Sequence, residues 1–238
     1  MKIIVKVFIV LLLAGFMACE KQDSEIGAID LDIKAYNGES GLIVLKSGTV
    51  MDTLGIDSAV IILEKIEIKL QDELEEDDMD DEESEENKQE EENEYYLEGP
   101  YVIDLLAATN EPEFPVVVTT PGIYTKFEAE LYVPEDLGYS LYISGTCTME
   151  GSGEQKFIYT YSQTEDFKAE NPDGFEIADD MITQVMVMVN MEHLFEGVDF
   201  SQAIVDGDDI VRINKDSNND LADIIEENLE NASEIDTD

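Results

Sequence analysis

The sequence predicts an all-β sandwich with a C-terminal amphipathic helix and one long, acidic, disordered loop. Three observations carry this prediction. Apolar and polar residues alternate with period two in run after run from Gly27 to Met191. Clusters of Gly, Asn, Asp, Ser and Pro separate the runs, which is the turn chemistry of short, sequentially connected strands. Helical spacing of apolar residues occurs in one segment only, close to the C terminus.

In order along the chain, Ile29, Leu31, Ile33 and Ala35 alternate with Asp30, Asp32 and Lys34, giving a half-buried first strand. Leu42–Lys46 is a short apolar run after the Asn37-Gly38 turn. A longer run places Val60, Ile62, Ile66, Ile68 and Leu70 on one parity, which predicts that they share the buried face. Asp72–Glu94 then holds 16 Asp or Glu residues in 23 positions against one basic residue, Lys88. Such a run buries no apolar area and repels itself, so residues 71–94 are expected to be a disordered insertion between Leu70 and Tyr95. Its length adds little closure entropy.

Tyr101–Ala108 reads as a strand end entering one helical turn, and Phe114–Thr120 as a strand. Ile123–Val133 alternates most cleanly, with Thr125, Phe127, Ala129 and Leu131 on the same face as Ile123, and Tyr124, Lys126, Glu128 and Glu130 opposite. Tyr139–Met149 and Lys156–Tyr161 flank Gly151-Ser152-Gly153 and read as a hairpin, and Thr183–Met191 as a further strand. Leu221, Ile224, Ile225 and Leu229 fall on one helical face, with Asn218 or Asn219 at the N-cap and Asp220 in the first turn. The single domain is expected to span residues 27–232, with 233–238 a disordered tail.

The first 18 residues have a different logic. Lys2 and Lys6 precede a run from Val7 to Ala18 that is apolar or small throughout, the pattern of a secretory signal peptide. Ile3–Ala18 is shorter than the ~20 apolar residues of a membrane-spanning helix. The run ends in Phe16-Met17-Ala18-Cys19, which resembles the lipobox of bacterial lipoproteins, departing from it at Phe16 and Met17. That resemblance implies that Cys19 is diacylated on sulfur, becomes the mature N-terminus and anchors the chain in a Gram-negative outer membrane, facing the periplasm or the cell surface. Residues 19–26 then form the lipidated Cys and a polar tether.

Charge restricts the partners. The chain carries 58 acidic and 13 basic residues, a formal net charge of −45, and loss of Lys2 and Lys6 takes it to −47. Clustered Lys and Arg, which phosphate binding needs, are absent, and this excludes nucleic acid. Membrane contact is expected through the lipid anchor, divalent cations or a basic protein are the complementary partners, and a monomer is expected. Cys147, of one parity with Leu141 and Ile143, is expected in the core.

Constellations for catalysis are thin. His193 is the one histidine, and no phosphate loop, paired CxxC or HExxH motif is present. The expectation is therefore a protein that is not an enzyme. Asp216, Asn218 and Asp220 alternate as oxygen ligands, with Glu227 at the twelfth place of an EF-hand-like loop, and calcium is the cofactor that set would take. Leu221 stands where that loop requires Gly, so the competing reading is a helix cap after a polar turn. Asp206-Gly207-Asp208-Asp209 is a second oxygen cluster. Asp52-Thr53-Leu54 and Asp57-Ser58-Ala59 resemble a bacterial O-glycosylation sequon.

Two family likenesses follow from these elements. The lipobox, Val60–Ile68, Asp104-Leu105-Leu106 and Pro121–Phe127 in that order resemble the uncharacterised bacterial lipoprotein family called domain of unknown function 4382, over roughly residues 27–190. The chain departs from it in lacking Trp. This resemblance implies an immunoglobulin-like or prealbumin-like sandwich and no known reaction. Fimbrillin-type pilus subunits are similar in being lipoprotein precursors with β-sandwiches, but their assembly cuts after an early Arg, and Arg212 is the single Arg here. The functional expectation is a lipid-anchored, non-enzymatic binding or structural module. The alternatives are a calcium-dependent adhesin or pilus-associated subunit, and a carboxylate-based carbohydrate-active enzyme.

Overall fold

A computed structural model describes residues 26–36, 42–47, 50–71, 95–149 and 153–237. The expected signal peptide (1–18), Cys19 with nearly all of the expected tether, and the expected acidic insertion after Gln71 lie outside the described residues. What is described is all-β with little helix. In order the strands are β1 (Gly27–Tyr36), β2 (Leu42–Ser47), β3 (Val50–Leu70), β4 (Tyr95–Leu97), β5 (Tyr101–Asp104), β6 (Thr109–Glu111) and β7 (Val117–Thr119). Then come β8 (Gly122–Leu131), β9 (Leu141–Met149), β10 (Gly153–Tyr161), β11 (Asp166–Ile177), β12 (Ile182–Asn190), β13 (Ile210–Ile213) and β14 (Ser233–Thr237). A short helix (Met191–Leu194) follows β12, and a longer one, Asn219–Leu229, follows β13.

The 21-residue β3 is the spine. Along one edge it takes β9 and then β8; along the other it takes β2, β5 and β4. From its N-terminal half the path runs β3–β9–β10–β13, and from its C-terminal half β3–β8–β11–β14–β12–β1–β7. That second path returns to the spine, because Ala35 N donates to Leu105 O at 2.7 Å and Leu105 N donates to Ala59 O at 2.9 Å. Three pairings are parallel: β1 with β12, β10 with β13 and β11 with β14.

The long spine is bent by bulges, and this corrects the predicted parity. Leu54 is buried; after a register shift between Ile56 and Ser58 burial passes to Ala59, Ile61 and Leu63, while Ile62 of the predicted parity is buried as well. A second shift, around Lys65 at φ +50°, returns burial to Ile66 and Ile68. Each bulge adds one residue and so exchanges the faces. Val60 therefore faces outward with Val102, opposite the side predicted for it. Where β3 and β9 pass closest there is no room for a side chain: a Cβ on Gly145 would lie 1.9 Å from Gly55 O.

β1 follows prediction, with Ile29, Leu31 and Ile33 buried. β8 does so from Thr125 to Leu131, but at its start Tyr124 is buried and Ile123 exposed. The reversal has a cause in the neighbours: both β11 (between Glu170 and Phe175) and β3 (between Lys69 and Leu70) shift register against β8 there. The predicted hairpin joins β9 and β10, with Met149 opposite Gly153 at φ +76°. Cys147 is buried on β9.

Four segments are strands where none was predicted: β6, β11, β13 and β14. β11 contains Asn171-Pro172-Asp173-Gly174, turn chemistry that here makes an excursion within a strand, with Asn171 Oδ1 accepting from Asp173 N. The tail expected to be disordered from residue 233 forms β14, antiparallel to β12 and bridged to β11 at Glu170 and Glu234. Ile235, 7% exposed, ties it to the core, and β12 supplies its backbone partners.

The core is one contiguous cluster. Within it Phe157, Phe195 and Phe200 form an aromatic knot with centroid separations of 5.5–6.4 Å. The C-terminal helix adds Leu221, Ala222, Ile225 and Leu229 as buried residues, with Ile224 half-buried on the predicted face. Asn228 Nδ2 donates to Leu194 O and Glu196 O, so this helix also satisfies carbonyls at the end of the short one.

Candidate functional site

The alternation of β10 decides what lies under the C-terminal helix. Phe157, Tyr159 and Tyr161 point inward while Ile158 and Thr160 point out. Phe157 is taken up by the aromatic knot. Tyr159, opposite Ile213 in the parallel β10–β13 pair, and Tyr161 reach instead below the first half of the helix. They line a cavity of about 160 Å³ with Lys215, Asp216, Ala222 and Glu226. At ~30 Å³ per water, that is room for about five waters or one small polar group.

Two of the domain's buried hydroxyls without a well-formed hydrogen bond meet at this cavity. Tyr159 and Tyr161 are 1% and 3% exposed, and neither hydroxyl has a hydrogen-bond partner in the protein. Burial pushes both phenols well above the usual tyrosine range, and the negative charges of Glu226 and Glu165 push the same way. Glu165 raises Tyr161 further, as a side-chain acceptor near its hydroxyl and through its charge, although no hydrogen bond of full geometry forms between them. At the mouth, Lys215 Nζ pairs with Glu226 at 3.0 Å. With its amide oriented to satisfy both neighbours, Gln163 accepts from Lys215 at 2.6 Å and donates to Glu165 at 3.3 Å. The site therefore offers two protonated hydroxyls, one ammonium and carboxylates. It is equipped to hold a small polar group, and the tyrosines, held neutral, are donors rather than bases.

The residues predicted as calcium ligands do not converge. Asn218 sits at the N-cap position but in the left-handed region, φ +51°, and makes no side-chain cap bond. Its amide instead accepts from Ile204 N at 2.6 Å and donates to Ile204 O at 3.0 Å and Arg212 O at 2.7 Å, clipping two loops together. Asp216 is exposed before the helix, Asp220 is exposed in its first turn, and Glu227 is exposed seven residues further on. At 1.5 Å rise per residue that separates Asp220 from Glu227 by ~10 Å along the helix axis. Among the described residues no group of three or more His, Cys, Asp or Glu is placed to hold a metal ion.

The second oxygen cluster is occupied from within. Arg212 meets both oxygens of Asp208, at 2.7 and 2.9 Å, and Asp206 at 2.8 Å. The guanidinium fork holds the Asp208 carboxyl below the usual range. Thr53 and Ser58, of the two sequon-like triplets, lie half-buried inside β3 rather than on a loop. His193 Nδ1 lies 3.1 Å from Glu196 on the surface.

One charged site was missed at the sequence level. On the outer face of β3, β8 and β11, Glu128 is surrounded by Lys126 at 2.6 Å, Lys69 at 2.7 Å and Lys168 at 3.6 Å, while Lys65 pairs with Glu130. Partial burial opposes ionisation of Glu128, but the Lys126 and Lys69 ammonium groups outweigh it and bring its carboxyl down to about 2. Four cations spread over 100 residues leave no local pattern to read; only the strand registers assemble them. Glu128 and Asp208 are both lowered, the reverse of what a carboxylic acid needs to donate a proton. No protein-family model matches the chain, and neither a curated protein nor a solved structure is found to match it.

Proposed function

We propose that the protein is a lipid-anchored envelope lipoprotein of a Gram-negative cell, held at the outer membrane by Cys19, and a non-enzymatic binding or structural module. On this reading the fold is a sandwich-type domain in which two sheets share the bent β3, in line with the immunoglobulin-like or prealbumin-like class. The observation that carries the proposal is the Val7–Ala18 run ending at Cys19, seven residues before the described domain starts at an exposed Ile26. The binding element is the cavity under the C-terminal helix, where two buried hydroxyls await an acceptor. The test is metabolic labelling with an alkynyl fatty acid. The wild-type chain should take the label and fractionate with membranes, and Cys19→Ala should do neither. A wild-type chain that is exported but unlabelled overturns the reading.

A further inference from the structure

Among the described residues, large exposed apolar side chains gather at one end of β1, β7 and β12. Ala28 of β1 is opposite Val118 of β7 on one side and Ile182 of β12 on the other, so the three form one rung across three adjacent strands. Met181 and Ile26 close the end of that rung, since Ala28 N donates to Met181 O at 2.9 Å and Asp180 N donates to Ile26 O at 2.8 Å. Val116 extends it along the β7 chain. Ile26, Val116, Val118, Met181 and Ile182 are each between 46% and 64% exposed. The patch is one rung deep: the next pair inward, Asp30 and Gln184, is polar and exposed.

What covers it is indicated by where the chain goes. The patch contains Ile26, the first described residue, and Cys19 lies only seven residues before it. Seven residues span at most ~25 Å when extended, and ~15 Å as a flexible coil. If Cys19 carries lipid, as proposed above, the anchor holds this end of the domain within that distance of the bilayer. A shallow apolar rung bordered by polar residues suits the boundary between headgroups and acyl chains, where interfacial segments bury ~5–10 Å. A second copy is a poor occupant, because each chain carries a net charge of −45 and the copies repel. An anionic headgroup is equally disfavoured, because Asp179 and Asp180 sit in the turn beside Ile26, with Asp179 Oδ1 accepting from Ile26 N at 3.0 Å.

We propose that the Ile26–Val118–Ile182 patch docks on a zwitterionic lipid surface, fixing the orientation of the domain that Cys19 tethers. The inference rests on the lipid-anchor reading. The chain has no Trp, so a single introduced Trp reports its own surroundings. Lipidated full-length Val118→Trp protein is reconstituted in phosphatidylcholine vesicles brominated on the acyl chains. Expected are a blue-shifted emission and roughly twofold quenching, as for an interfacial aromatic residue. Leu137→Trp is the control, in the exposed turn after β8, at the far end of that strand from Gly122. It should be neither shifted nor quenched. Ile182→Trp repeats the measurement on the neighbouring strand in case Val118→Trp fails to fold. Protein that floats with the vesicles while neither patch Trp is quenched overturns the docking and leaves the anchor standing. Protein that does not float overturns the anchor. A blue shift without quenching, with cross-links between copies, shows that a second copy covers the patch and also overturns the proposal. Replacing half of the phosphatidylcholine with an anionic lipid should reduce the quenching; an increase would contradict the charge argument.

Discussion

Asn218→Ala should be among the most destabilising substitutions at a half-exposed position. The side chain makes three hydrogen bonds to the backbone, two with Ile204 and one with Arg212, at 2.6–3.0 Å. At ~0.5–1.5 kcal/mol net each, and with partial solvent access favouring the low end, their loss costs about 2 kcal/mol. The backbone adds to this: φ is +51°, a region that Asn tolerates and Ala enters at a cost of ~1 kcal/mol. The expected total is about 3 kcal/mol. Asn218→Gly separates the two contributions, because it loses the same bonds without backbone strain and should be the milder by about 1 kcal/mol. Asn218→Asp keeps the acceptor for Ile204 N but aims a carboxylate at two carbonyl oxygens, and should be no better than Ala. Urea denaturation followed by far-UV circular dichroism gives all three differences. If Asn218→Ala shifts stability by less than ~0.5 kcal/mol, the clip is not what holds the 204–218 loops.

Other expectations test the remaining features. Glu128 has a folded pKa depressed to about 2, so its ion pairs stabilise above the unfolded value near 4.5 and are lost as pH falls towards 2. Glu128→Gln should therefore cost on the order of 1–2 kcal/mol at pH 7, after allowance for solvent screening, and nearly nothing at pH 2, read from urea midpoints across pH. Tyr159→Phe removes a buried hydroxyl with no protein partner, so it should leave stability unchanged or raise it by about 1 kcal/mol; a loss above ~1 kcal/mol would show that the hydroxyl is bonded. Phe157→Ala should cost ~3–5 kcal/mol by emptying the centre of the aromatic knot, visible as a lower thermal midpoint and a weaker near-UV signal. Gly145→Ala places a methyl 1.9 Å from Gly55 O and should cost about 3 kcal/mol or more, since backbone has to move; a wild-type melting curve would contradict the β3–β9 approach.

The elements legible in the sequence were those whose burial follows a single period. β1, the later part of β8 and the C-terminal helix each keep one buried face for their whole length, so alternation or helical spacing reports it directly. β3 fails that test only because it is long and pairs with five strands. Its bulges near Asp57 and at Lys65 each exchange faces, and a parity count from Val60 to Leu70 averages over the change. β11 was hidden by the Asn-Pro-Asp-Gly that ordinarily ends a strand, and β14 by having one buried apolar residue, Ile235, among five. Both are made into strands by their neighbours' unpaired backbone groups, a tertiary effect with no local trace. The cavity was half legible: the inward parity of Tyr159 and Tyr161 could be read, but not that their hydroxyls lack partners, because Lys215 and Glu226 arrive from elements fifty residues away.

The charge distribution unites the fold with the proposed location. Six of the chain's scarce cations, Lys65, Lys69, Lys126, Lys168, Arg212 and Lys215, are committed to carboxylates inside the domain. Four of them stabilise the junction where β3 and β11 flank β8, Lys215 stands at the cavity, and Arg212 holds the Asp206–Asp208 turn. Cations paired in this way add little positive field beyond the surface, so the domain's exterior is negative on most sides. Long-range attraction to an acidic or anionic surface is then unavailable, and contact with a membrane has to come from apolar area. The rung at Ile26, Val118 and Ile182 is such an area, and it lies at the end of the domain where the chain leads to Cys19. If the domain is anchored as proposed, its orientation at the membrane rests on a few side chains, and Val118→Asp with Ile182→Asp should free it to tumble on its tether without detaching it.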